Sequence, residues 1–126
     1  MKAILIDVVN QQVVETEISN YKEIYTKIGN GCTLFTVPVT FENEDALYVD
    51  DEGLLHPEIQ GGFIMKDWVR PMVGNGVILG TDDEGESVDC KTTVDEIKAQ
   101  IQFLSKDLAE GWKRVAQATP PRIYFS

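Results

Sequence analysis

Residues 2–18 read KAILIDVVNQQVVETEI, and the two halves of this stretch follow different rules. The first, KAILIDVV at 2–9, is β-branched and almost wholly apolar, the pattern of a strand covered on both faces. Asn10, Gln11 and Gln12 interrupt it, and VVETEI at 13–18 then alternates apolar with polar residues, as a half-exposed strand does. A central strand followed by a half-exposed partner makes an antiparallel hairpin, so the chain begins by building a sheet.

Working outward, Asn20 and Glu23 have the spacing of a capping box. Tyr21, Ile24, Tyr25 and Ile28 then recur at helical spacing until Gly29-Asn30-Gly31 stops the helix. CTLFTVPVT at 32–40 reads as a strand whose Pro38 belongs at an edge or bulge. ALYVDDEGLL at 46–55 and VILGTDDEGES at 77–87 echo one another, each an apolar strand running into Asp-Asp-Glu-Gly. Residues 56–75 hold His56-Pro57, Gly61-Gly62, Arg70-Pro71 and Gly74-Asn75-Gly76, too many breakers for a long helix, and read as a loop with short strands. Thr93 and Glu96 form a second capping box, and Val94, Ile97, Ile101, Leu104 and Leu108 follow at steps of three and four, predicting one long helix. Pro120-Pro121 stops the chain again before Ile123, Tyr124 and Phe125.

The expected architecture is therefore one α+β domain spanning 1–126, with a mixed, mostly antiparallel sheet of about five or six strands and two helices packed on one face. Residues 107–126 form a C-terminal extension. Its three large apolar residues are expected to dock on their own domain or on a neighbouring subunit, which predicts a homo-oligomer.

With 126 residues and 43% hydrophobic composition the chain can bury a core without staples. The two cysteines, Cys32 and Cys90, form no Cys-x-x-Cys motif, so neither a disulfide framework nor a metal site is indicated, and no cofactor is expected. The opening MKAILIDVVNQQ lacks the long apolar run of a signal peptide, and no stretch of eighteen apolar residues occurs. The expectation is a cytoplasmic protein with no membrane partner.

The net charge is −10, which repels phosphate backbones and disfavours direct nucleic-acid binding. Residues 42–89 hold thirteen acids against Lys66 and Arg70, or −11, more than the whole excess. From Lys98 onward the balance is +3, with Trp112, Tyr124 and Phe125 interleaved.

Neither Asp-Asp-Glu-Gly segment has the ligand spacing of a calcium loop, and both are expected to be hairpin turns. His56 is the sole histidine, and no compact Cys-His or Gly-x-Ser-x-Gly arrangement supports a nucleophile. Lys66, Trp68 and Arg70 alternate along an expected strand, so an indole lies between two cations on one face. That chemistry suits a nucleotide, whose base stacks on the indole while its phosphate meets the cations.

MKAILID, ALYVDDEGLL, GNGVILGTDDEGES and the Thr-capped VDEIKAQI together resemble an uncharacterised family of short proteins encoded by phages, prophages and plasmids, over roughly residues 1–104. The resemblance carries no catalytic residue. It implies a small accessory protein of a mobile element in a bacterial host cell, and hence an anti-defence role.

Two binding modes fit that context. In the first, a non-enzymatic protein sequesters a small anionic nucleotide-derived signal through Lys66, Trp68, Arg70, Trp112, Arg114, Arg122 and Tyr124. In the second, an acidic surface of Asp50, Asp51, Glu52, Asp82, Asp83 and Glu84 mimics DNA and blocks a cationic host protein. A nucleotide-processing enzyme is the third reading and lacks a catalytic constellation.

Overall fold

Side-chain alternation along β1 (Lys2–Asp7) decides the layering. Ile4 and Ile6 point to one face and Ala3 and Leu5 to the other, and both faces are covered. The computed structural model describes residues 1–118 apart from Val69. Arg122, Tyr124 and the expected docking of the end of the chain lie outside the described residues.

β1 pairs with β2 (Gln12–Glu17) and with β7 (Gly76–Thr81), β7 with β4 (Ala46–Asp50), and β4 with β3 (Phe35–Thr40), all antiparallel. The two-residue β8 (Ser87–Val88) adds to β7, completing a six-stranded sheet in the order β2-β1-β7-β4-β3. A smaller antiparallel sheet, β6-β5-β9, comprises β5 (Gly62–Met65), β6 (Met72–Val73) and β9 (Ile101–Leu104).

The α+β class and the six-stranded antiparallel sheet match expectation, and the structure adds the second sheet and divides the helices. Ile4, Ile78 and Leu47 stand in register across three strands and pack toward Phe63 and Met65 of the small sheet and Ile97 of α2 (Val94–Lys98). Each such buried aliphatic contributes about 1.5–3 kcal/mol. Val77 and Leu79 face the other way, onto Ile24 and Ile28 of α1 (Lys22–Ile28). The two helices thus lie on opposite faces, because β1 and β7 are apolar at consecutive positions and each face needs a cover.

The long helix expected from Thr93 onward is three elements. Its start is as read: Thr93 Oγ1 accepts from the Glu96 amide at 3.2 Å, and Glu96 Oε1 accepts from the Thr93 amide at 3.1 Å. The helix ends at Lys98, and Ile101–Leu104 becomes β9, in register with β5. The apolar positions satisfy both periods, since Ile101 and Phe103 also alternate with Gln102, and the unpaired edge of β5 selects the strand. Ser105 then caps α3 (Lys106–Ala118), accepting from the Leu108 amide at 3.2 Å.

Gly74-Asn75-Gly76 joins the small sheet to the large one. Asn75 accepts from the Val8 amide at 2.9 Å and donates to the Lys27 carbonyl at 3.1 Å, tying β1 to the end of α1. No helix among the described residues is long and apolar enough to cross a membrane.

Candidate functional groove

At the end of β4 the chain has to leave the sheet, and Asp50 determines how it does so. Its side chain is only 3% exposed; Oδ1 accepts from the Glu52 amide at 2.8 Å and Oδ2 lies 2.6 Å from Nε2 of His56. A buried carboxylate needs such partners. The clamp folds residues 50–56 into a short 3-10 turn, Gly53–Leu55, in place of the hairpin expected there. Gly53 is required by close approach, because a Cβ there would stand 2.7 Å from the Val73 carbonyl oxygen.

This turn presents Leu54 to a small cluster formed by Ile59, Val73, Ala109 and Trp112. It is also the seat of α3, whose Lys113 Nζ donates to the His56 carbonyl at 2.8 Å. Lys106 adds a surface ion pair to Glu58 at 3.7 Å, worth little in water.

Between the end of β4, the 3-10 turn, the β5–β6 connection and α3 lies a groove of about 500 Å³. Trp68, Arg70 and Trp112 line it together with Asp50, Asp51 and Glu52. The structure therefore brings members of both candidate sets into one place. Trp68 and Arg70 do not alternate on a strand: β5 stops at Met65, Asp67 adopts a φ of 66°, and the Trp68 amide donates to the Met65 carbonyl at 3.0 Å, closing a turn. Lys66 is exposed in that turn and Arg114 is exposed on α3, and neither lines the groove. Arg70 forms no ion pair among the described residues.

Asp82, Asp83 and Glu84 lie elsewhere. β4 and β7 run antiparallel with Ala46 opposite Leu79 and Val49 opposite Gly76, so the β7–β8 turn is at the far end of the sheet from the groove. It shares that end with Glu42 and Glu44 of the β3–β4 turn. The two halves of the candidate acidic surface are thus separated by the length of the strands.

Four buried or half-buried groups escaped the sequence reading as partners. His56 belongs to Asp50, a pairing with no local signature. Asp45 is fully buried and accepts from the Lys91 and Thr92 amides and from Thr92 Oγ1, the last at 2.5 Å. It pins the β3–β4 turn to the segment before α2. Cys32 is half-buried, and its thiol is pushed up to about 11, first by burial and then by the Asp50 carboxylate. Burial, followed by the Asp45 carboxylate, also raises the Cys90 thiol. Both sulfurs stay protonated near neutrality, which makes them poor nucleophiles. Among the described residues no group of three metal-ligating side chains gathers.

The fold and groove define an α+β domain with a small-molecule-sized hollow walled by aromatic and charged residues. Residues 1–102 match the family described as domain of unknown function DUF3846, and the chain belongs to that family. The matched region includes Asp50–Leu55 and Trp68–Val73, while Trp112 lies beyond it. Neither the curated proteins nor the solved structures hold a significant match.

Proposed function

We propose that the chain is a non-enzymatic binding protein whose groove takes a small nucleotide-derived molecule. The observation that carries this reading is the convergence of Trp68, Arg70 and Trp112 from two separate segments on one groove. An indole offers a stacking face to a planar base, and a guanidinium that forms no ion pair among the described residues suits a phosphate oxygen. Because Lys66 and Arg114 stand outside the groove, the fitting ligand brings a single anionic group to Arg70. In a chain of net charge −10 a polyanion would be repelled.

The resemblance to proteins of phages, prophages and plasmids supports a mobile-element accessory role in a bacterial cytoplasm, holding a nucleotide-type signal away from host defence. Leu108 and Val115, 62% and 55% exposed on α3, support self-association.

Both tryptophans of the chain line the groove, so intrinsic fluorescence reports on it directly. Titration with a panel of nucleoside monophosphates and 3′,5′-cyclic nucleotides should quench the emission and raise the melting temperature. Arg70→Ala should weaken the best ligand about tenfold or more, the value of one charge-assisted hydrogen bond. A flat response across the panel, or an unchanged affinity in the variant, would discard the reading.

A second reading rests on the far end of the sheet, where Glu42, Glu44, Asp82, Asp83 and Glu84 gather. Such a surface suits the cationic groove of a DNA-binding host protein. Reversing the charges of Asp82, Asp83 and Glu84 should then abolish a salt-sensitive capture and leave nucleotide quenching intact.

A further inference from the structure

Resting on the reading of the groove as a nucleotide-type site, we infer that Glu52 makes it select a guanine-type base. The three carboxylates of the groove differ in availability. Asp50 spends both oxygens, one on the Glu52 amide and one on His56. Asp51 is exposed, where water competes for it. Glu52 is half-buried, its backbone is held by Asp50, and Thr33 Oγ1 donates to its Oε1 at 3.4 Å. It makes no ion pair among the described residues.

An ionised carboxylate only accepts hydrogen bonds and offers two oxygens side by side. The guanine edge presents N1–H next to the 2-amino group, two adjacent donors that match this pair. Adenine presents a donor next to a bare ring nitrogen, so one carboxylate oxygen faces a lone pair and loses its partner. Cytosine has the same donor–acceptor mismatch, and uracil offers one donor between two carbonyls. A site built to pair a polar group rejects the ligand that leaves it unpaired. An aromatic cage for a cationic ligand would share the indoles and carboxylates, but Arg70 in the same groove opposes a cation.

The test is a fluorescence titration of the full chain with 3′,5′-cyclic GMP and 3′,5′-cyclic AMP, phosphodiesters of equal single charge. The expected result is cyclic GMP about tenfold tighter, the scale of one bidentate base contact. Glu52→Gln should bring the two ligands to within about twofold at an unchanged melting temperature, because an amide presents one donor and one acceptor. Asp95→Asn, which removes an exposed carboxylate on α2 outside the groove, should preserve the preference. Equal affinities in the wild type, or a preference that survives Glu52→Gln or disappears in Asp95→Asn, would overturn the inference while leaving the groove a nucleotide site. Failure of both ligands to quench would overturn the site itself.

Discussion

Asp50-Asp51-Glu52-Gly53 and Asp82-Asp83-Glu84-Gly85 are the same four residues placed after two neighbouring strands, and they become different structures. Their first steps agree: the leading aspartate accepts from the amide two residues on, at 2.8 Å in one and 2.9 Å in the other. In the second copy Asp82 also accepts from the Glu86 amide at 2.9 Å. Gly85 takes a φ of 83°, and the chain returns as β8 in the hairpin turn that the sequence predicts. In the first copy the second oxygen of Asp50 is given to His56, the chain does not return, and a 3-10 turn builds one wall of the groove. A local motif specifies the local turn, while what the aspartate meets in the fold specifies where the chain goes next.

The largest effect should separate the two leading aspartates. Asp50→Ala leaves His56 without its buried partner and should cost about 3 kcal/mol in urea unfolding, against about 1 kcal/mol or less for Asp82→Ala. Equal costs would mean that the two turns are energetically alike and the comparison fails.

The glycines sharpen it next. Gly53→Ala drives a Cβ to within 2.7 Å of the Val73 carbonyl oxygen, which should cost about 2–3 kcal/mol. Gly85 has open space around its Cβ position and only its positive φ to lose, so Gly85→Ala should cost about 1 kcal/mol. The first glycine answers to tertiary packing and the second to the turn.

The smallest effect is a titration. Cys32 lies beside Asp50, and its alkylation by iodoacetamide should stay slow until the pH approaches about 11. Because folding raises this thiol from 9.0, its contribution to stability is present below about pH 9 and lost as the pH climbs toward 11. Asp50→Asn should move the alkylation midpoint down without restoring it fully, since burial is the larger cause.

Much of the fold was legible because its signals are local. The unbroken apolar run of β1, the alternation of β2, the glycine stop after α1 and the Thr93–Glu96 capping box each depend on residues a few positions apart. The segment 94–108 was not legible for the opposite reason: its apolar spacing fits a helix and a strand alike, and only the open edge of β5, some forty residues earlier, chooses. The groove falls between these cases. Trp68, Arg70, Trp112, Asp50, Asp51 and Glu52 stood out by residue type, but Lys66 and Arg114 stood out equally and stand outside the groove. Local chemistry cannot tell which side chains a turn at Asp67 will send outward.

From its sequence alone this protein is an acidic α+β domain with an antiparallel sheet, and it carries a few cations and indoles on an anionic surface. Composition and hydrophobic period determine that much, since burial and backbone pairing act through patterns the chain carries wherever it folds. The partner of Asp50, the opposite-face placement of α1 and α2, the strand within the expected helix and the meeting of Arg70 and two indoles with Asp50, Asp51 and Glu52 in one groove were decided only in three dimensions. Each depends on a contact between distant segments, whose energy exists only once both have been brought together.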